Sequence, residues 1–152
     1  MSVFRFSWIL ISGLSLSHTG CGCKFSGVII RAVMNTTKTF PPIGSQQFLD
    51  QLALVYHREI AARLMDSPVE VIGLARENLR RWIQVHEGTG TVYALKEWQI
   101  LLDTKSIPEL VAIITEDSDE GQRLRQSTPF AGVLSDHERT EIMTLYEERA
   151  FA

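Results

Sequence analysis

Three four-residue strings, Ser67-Pro68-Val69-Glu70, Ser106-Ile107-Pro108-Glu109 and Ser135-Asp136-His137-Glu138, limit the folds open to this chain more than any other feature. Each has the Ser-x-x-Glu form of a capping box. In that motif the serine oxygen takes an orphan amide at a helix start while the glutamate reaches back to the serine amide. Two of the boxes carry proline in the first helical turn, where its missing N–H is no loss. Three marked helix starts, with no alternating run bounded by hairpin signals, predict an all-α fold.

The intervals between these starts read as amphipathic helices. From Gln46 to Met65 the residues Leu49, Leu52, Tyr56, Ile60 and Leu64 recur at steps of three and four, with Ser45 as N-cap and Glu59 and Arg63 paired across one turn. A second helix, opened by the Ser67 box, turns Ile72, Ala75, Leu79, Trp82, Ile83 and His86 inward and Arg76, Glu77, Arg80, Arg81 and Gln84 outward. Gly88-Thr89-Gly90 ends it. A third, about Val92 to Leu102, uses Leu95, Trp98 and Leu102, and a fourth from the Ser106 box uses Leu110, Val111 and Ile114. Ser118 caps a short fifth helix through Arg125, with Asp119 and Glu120 in its first turn, and the Ser135 box opens a last helix with Ile142, Leu145 and Tyr146. The expectation is a single compact bundle of five to six helices over residues 46–152, preceded by a flexible segment and linker over 1–45. Its core is expected to hold Leu52, Tyr56, Ile60, Leu79, Trp82, Trp98, Leu110 and Phe130.

At 152 residues, 45% hydrophobic and 22% charged, the chain has material for one core. Residues 1–40 hold four basic residues and no acid, which leaves 11 basic against 18 acidic residues, net −7, for 41–152. An acidic body disfavours nucleic acid as a partner, because such binding draws on phosphate neutralisation by Lys and Arg. Both cysteines, Cys21 and Cys23, lie in the N-terminal segment, too close together to close an unstrained disulfide or to make a zinc site alone.

The stretch from Phe4 to Ser17 has one positive charge followed by an apolar run of signal-peptide length. Gly20-Cys21 resembles a lipoprotein cleavage junction, although His18 stands where an aliphatic residue is wanted. The competing reading starts the protein at Met34 and places it in the cytoplasm. Export or lipid anchoring through Cys21, as a lipoprotein-like helical protein, is the alternative, and a membrane association is expected only if residues 1–21 are a true signal.

The chemically dense part of the chain is Thr115 to Ser135. Its acids (Glu116, Asp117, Asp119, Glu120) place Gly121 one position early for a calcium loop and suit a helix N-terminus. Arg123 is expected to bridge to Asp119, leaving Arg125 two positions on to point elsewhere. Arg125 then either caps carbonyls at a helix end or binds Glu116, or it joins Gln126, Ser127 and Thr128 in an exposed polar contact patch beside a Phe130 plug. Arg58 to Leu74 resembles a helix-turn-helix motif with Met65 in the usual glycine position, and Arg76, Arg80 and Arg81 form the body's basic cluster. DNA binding through these three arginines is the alternative function. His57, His86 and His137 lack metal-ligand spacing, and no nucleophile elbow or phosphate loop occurs, so no catalytic residue, metal or cofactor is expected.

The run Leu124-Arg125-Gln126-Ser127-Thr128-Pro129-Phe130-Ala131-Gly132-Val133-Leu134, with His57-Arg58-Glu59-Ile60-Ala61-Ala62-Arg63-Leu64 before it and Glu97-Trp98 between, resembles a family of small, uncharacterised bacterial all-helical proteins, loosely antitoxin-like, over about Val55 to Leu145. The resemblance implies no catalytic residues. The expected function is a non-enzymatic protein-interaction partner, antitoxin-like as the resemblance implies, that uses Arg123, Arg125, Gln126, Ser127 and Thr128 against another protein.

Overall fold

The computed structural model describes residues 41–151. Six helices follow in order: α1 (Gln46–Asp66), α2 (Pro68–Val85), α3 (Thr91–Thr104), α4 (Ile107–Thr115), α5 (Asp119–Gln126) and α6 (Asp136–Phe151), with no strand among the described residues. The fold is all-α, as the capping pattern predicts. The expectations for the signal-like segment, Cys21, Cys23 and the Met34 start lie outside the described residues.

The helix starts are set locally. Ser45 accepts from the Phe48 amide at 3.1 Å and Ser118 from the Gly121 amide at 3.0 Å. The Ser135 box closes in both directions, with Ser135 Oγ accepting from Glu138 N at 3.3 Å and Glu138 accepting from Ser135 N at 2.8 Å. Glu109 likewise accepts from the Ser106 hydroxyl at 2.7 Å and from the Ser106 amide at 2.9 Å, and these bonds with the Lys105 ammonium pull its carboxyl down to about 2. The box expected at Ser67 does not form: its hydroxyl donates to Asp66 at 3.2 Å. The reason is the connection. Ser67 alone joins α1 to α2, and its amide closes α1 on Arg63 O at 2.8 Å, so its backbone serves the end of one helix and the start of the next.

α1 is the central element, packed most extensively on α4 and touching α2, α5 and α6 as well. It therefore buries Phe48, Leu52, Leu54, His57, Ile60, Ala61 and Leu64, a band wider than the expected stripe, while Leu49 is exposed and Tyr56 only half-buried. A helix with neighbours on several sides has no single apolar face. α6 runs back along α1. Glu138 pairs with Arg63, the Tyr56 hydroxyl donates to Arg139 O at 3.2 Å, and the Phe48 and Tyr146 rings lie 5.1 Å apart.

α2 and α3 form an antiparallel pair beyond a turn in which Gly88 takes the left-handed conformation (φ 81°). Arg76 of α2 donates to Leu102 O at 3.3 Å and pairs with Asp103 at 2.9 Å. Leu95, Trp98 and Leu102 of α3, Leu110 and Ile114 of α4, and Ile142 and Tyr146 of α6 all reach the common core, as their spacing predicts. Trp82 packs on that core half-exposed.

Candidate functional site

The connector from Ser127 to Ser135 is held by side chains of three helices. Phe130 is fully buried, with its ring edge-on to Trp98 (centroids 5.7 Å apart, planes at 85°), and the Trp98 indole N–H donates to Leu124 O at 3.1 Å. Asn78, buried on α2, donates from Nδ2 to Pro129 O at 2.9 Å and to Ala131 O at 2.8 Å, and its Oδ1 accepts from Arg81 at 2.6 Å. Arg63 of α1 donates to Val133 O at 2.7 Å and pairs with Glu138. Between these clamps the chain turns at Gly132 (φ 86°), a conformation L side chains rarely adopt, with Val133 N bonded to Phe130 O at 3.2 Å.

The arginine expected to be free is part of this interior. Arg125 is 4% exposed and donates from one terminal nitrogen to Glu116 O at 2.6 Å and Ile114 O at 3.4 Å, tying α5 to the end of α4. Glycine at position 121 makes this possible, since a Cβ there would stand 2.3 Å from Glu116 O. Burial pulls the pKa of the guanidinium down, against the pull of Asp117, and the group remains a cation. Its Nε and the Thr128 hydroxyl are buried without a hydrogen-bond partner among the described residues, a cost that the surrounding packing must offset.

His57, buried on α1, bonds through Nδ1 to Ala53 O at 2.7 Å, so that nitrogen carries the proton. Burial, helped by the nearby Arg125 charge and opposed by the bond to Ala53, lowers its pKa to about 4 and keeps the ring neutral.

The five residues expected to form one exposed patch are thus divided. Arg125 and Thr128 are buried, Ser127 is half-buried, and Gln126 and Arg123 are exposed. Arg125 takes the carbonyl-capping role, which removes it from the surface. Arg123 pairs with Glu120 at 2.6 Å and with Glu97 of α3 at 2.7 Å rather than with Asp119, because Glu97 draws the guanidinium towards α3.

The basic cluster of α2 is likewise engaged. Arg76 holds Asp103, Arg80 holds Glu77 at 2.8 Å, and Arg81 donates to Asn78 and stands 3.8 Å from Glu77. Arg63, which the sequence reading pairs with Glu59, bonds to Glu138 and Val133 instead. The helix-turn-helix resemblance meets a one-residue junction at Ser67, with the exposed Met65 still inside α1, where the motif has a turn of three to four residues. Among the described residues no three His, Cys, Asp or Glu side chains gather as a metal site, and no helix is long and apolar enough to cross a membrane.

Sequence reasoning missed Asn78 and Arg63. Asn78 had a signal, being a polar residue spaced three after Ala75 and four before Trp82 on an otherwise apolar stripe. Arg63 had none, since its partners lie 70 and 75 residues away.

No family model matches the sequence, and no curated protein or solved structure proves similar to it.

Proposed function

We propose that the protein is a non-enzymatic interaction partner of another protein, and that the contact lies on the outer side of α3 rather than on the polar connector. The supporting observation is the exposure of large apolar side chains there: Tyr93 is 80% exposed and Ile100 62%. Seven residues apart, they lie on one helix face, opposite Leu95, Trp98 and Leu102. Val85, 76% exposed at the end of α2, approaches the same end of the hairpin as Tyr93. An exposed tyrosine beside an exposed aliphatic residue has the composition of interface centres.

Arg123 joins this surface at its edge through Glu97. In this reading the buried polar groups around residues 125–134 serve the fold, since the bonds from Asn78 and Arg63 fix the backbone of Pro129, Ala131 and Val133, and Arg125 fixes that of Ile114 and Glu116. An antitoxin-like role, which the sequence resemblance implies, is one form such a partnership takes.

A photo-crosslinking side chain at position 93, introduced in the native host, tests the reading against the same probe at Glu141, an exposed site on α6. A discrete product from position 93 alone is the expected result. Equal products from both sites, or none from 93, would remove the α3 face from consideration.

A further inference from the structure

The outer face of α3 is apolar along its middle and oppositely charged along its two edges. Tyr93 and Ile100 stand seven residues and about 10 Å apart on one line, both well exposed. Lys96 follows Tyr93 by three residues and Glu97 follows it by four, which places the two charges on opposite sides of that line. The contacts of α3 fix which edge is which. Asp103, seven residues beyond Lys96, pairs with Arg76, so Lys96 borders α2, while Glu97 is held by Arg123 and borders α5.

Each edge keeps a charge without its counter-charge. Lys96 is exposed and has no ion pair among the described residues. On the other edge Glu97 and Glu120 share the single guanidinium of Arg123, so that group retains one negative charge. We infer that the face takes an amphipathic helix of another protein, whose apolar stripe covers Tyr93 and Ile100 and whose flanks carry an acid towards Lys96 and a base towards Glu97 and Glu120. This deepens the contact reading above and rests on it.

A helix matches the length of the line, because its side chains at i, i+3 or i+4 and i+7 recur over the same distance. The charges set its direction: turned end for end, the same helix would exchange its flanks and bring like charge against like. They also disfavour a second copy of this chain laid antiparallel, which would bring Lys96 to Lys96 and carboxylates to carboxylates.

Three fluorescein-labelled, hydrocarbon-stapled helical peptides with the same leucine stripe serve as probes. One carries Glu along one flank and Lys along the other, one carries Glu along both, and one carries Lys along both. Titrated against the full chain under reducing conditions at ~0.05 M salt, where exposed charges are little screened, the mixed peptide should bind tightest. The margin should be about two- to fivefold, the scale of exposed ion pairs. An acidic body attracts any cation, so tightest binding by the doubly Lys-flanked peptide is what unspecific attraction would give. Lys96→Glu should pass the preference to that peptide, because both edges are then negative. Ile100→Glu should weaken the mixed peptide at least about tenfold with an unchanged melting temperature. Lys96→Glu alters only an exposed cation and gives an independent reading should Ile100→Glu disturb the fold.

Equal binding of the three peptides, tightest binding of the doubly Lys-flanked one to the unaltered chain, or an unchanged order with Lys96→Glu would overturn the inference. So would the absence of binding by any of them up to about 500 μM, or undiminished binding to a folded Ile100→Glu chain. A dimer of the chain alone in sedimentation equilibrium, dissociated by Ile100→Glu, would give the face to a second copy and overturn it as well. If the peptides fail but position 93 crosslinks a different protein in the host, the charged flanks fall and the contact face stands. If position 93 gives no product at all, both fall.

Discussion

Arg123 and Arg125 stand two residues apart on the same short helix and serve opposite regions of the molecule. Arg125 points inward, exchanging its hydration for the carbonyls of Ile114 and Glu116, while Arg123 points outward into a triad with Glu97 and Glu120 that water still reaches. Losing a partner costs far more in the first setting, because a buried carbonyl cannot turn to solvent, whereas an exposed carboxylate is simply rehydrated. A loop rich in polar residues is therefore no guide to where partners bind: here it is polar because it is built into the interior. The contrast predicts a ladder of effects, steep around the connector and flat on the outer helix faces.

The steepest rung is Phe130. Phe130→Ala removes a fully buried ring that packs on Trp98, and should cost about 3–5 kcal/mol in urea unfolding. A loss below about 1 kcal/mol would mean that the connector is not packed as described and would erase the contrast.

Next comes acid sensitivity through His57. Unfolded, the ring takes a proton below about 6.5; folded, it resists until about 4. The unfolded state thus binds the extra proton first, and stability falls as pH drops from about 6.5 to 4, by up to roughly 3 kcal/mol. The stability of His57→Leu should lose most of that pH dependence even if the variant is weaker at neutral pH. Parallel curves for the two proteins between pH 6.5 and 4.5 would show that the histidine is hydrated and not interior.

How much of this was legible in the sequence depends on the range of each interaction. Ser135 and Glu138 were readable because a capping box spans three residues, and Leu95, Trp98 and Leu102 because one side of α3 alone meets the core. The stripe assigned to α1 was too narrow, since the number of helices around it is a property of the whole bundle. Ser67 carried the right local pattern but had to end one helix while starting another. The inward turn of Arg125 depends on the Glu116 carbonyl and on room left by Gly121, a close approach that no spacing rule records. The contact face proposed on α3 went unremarked because Tyr93 and Ile100 become conspicuous only once neighbours fail to cover them.

The lowest rungs lie on α2, where the two regions meet within three residues. Asn78 faces the connector and satisfies two carbonyls at once, so Asn78→Ala should cost about 2 kcal/mol by leaving Pro129 O and Ala131 O without their donor. Arg80 lies on the opposite side, bonded through two nitrogens to Glu77 of the same helix with both side chains well exposed. Freed from that pair, Glu77 remains within 3.8 Å of Arg81 and in contact with water, and the arginine's absence leaves no buried group unsatisfied. Arg80→Ala should therefore leave the melting temperature unchanged within error at ordinary ionic strength, since salt and hydration already screen the pair. If Arg80→Ala instead destabilises as much as Asn78→Ala, that surface is covered by something that desolvates it, and the division between a polar interior and an energetically quiet exterior fails on this helix.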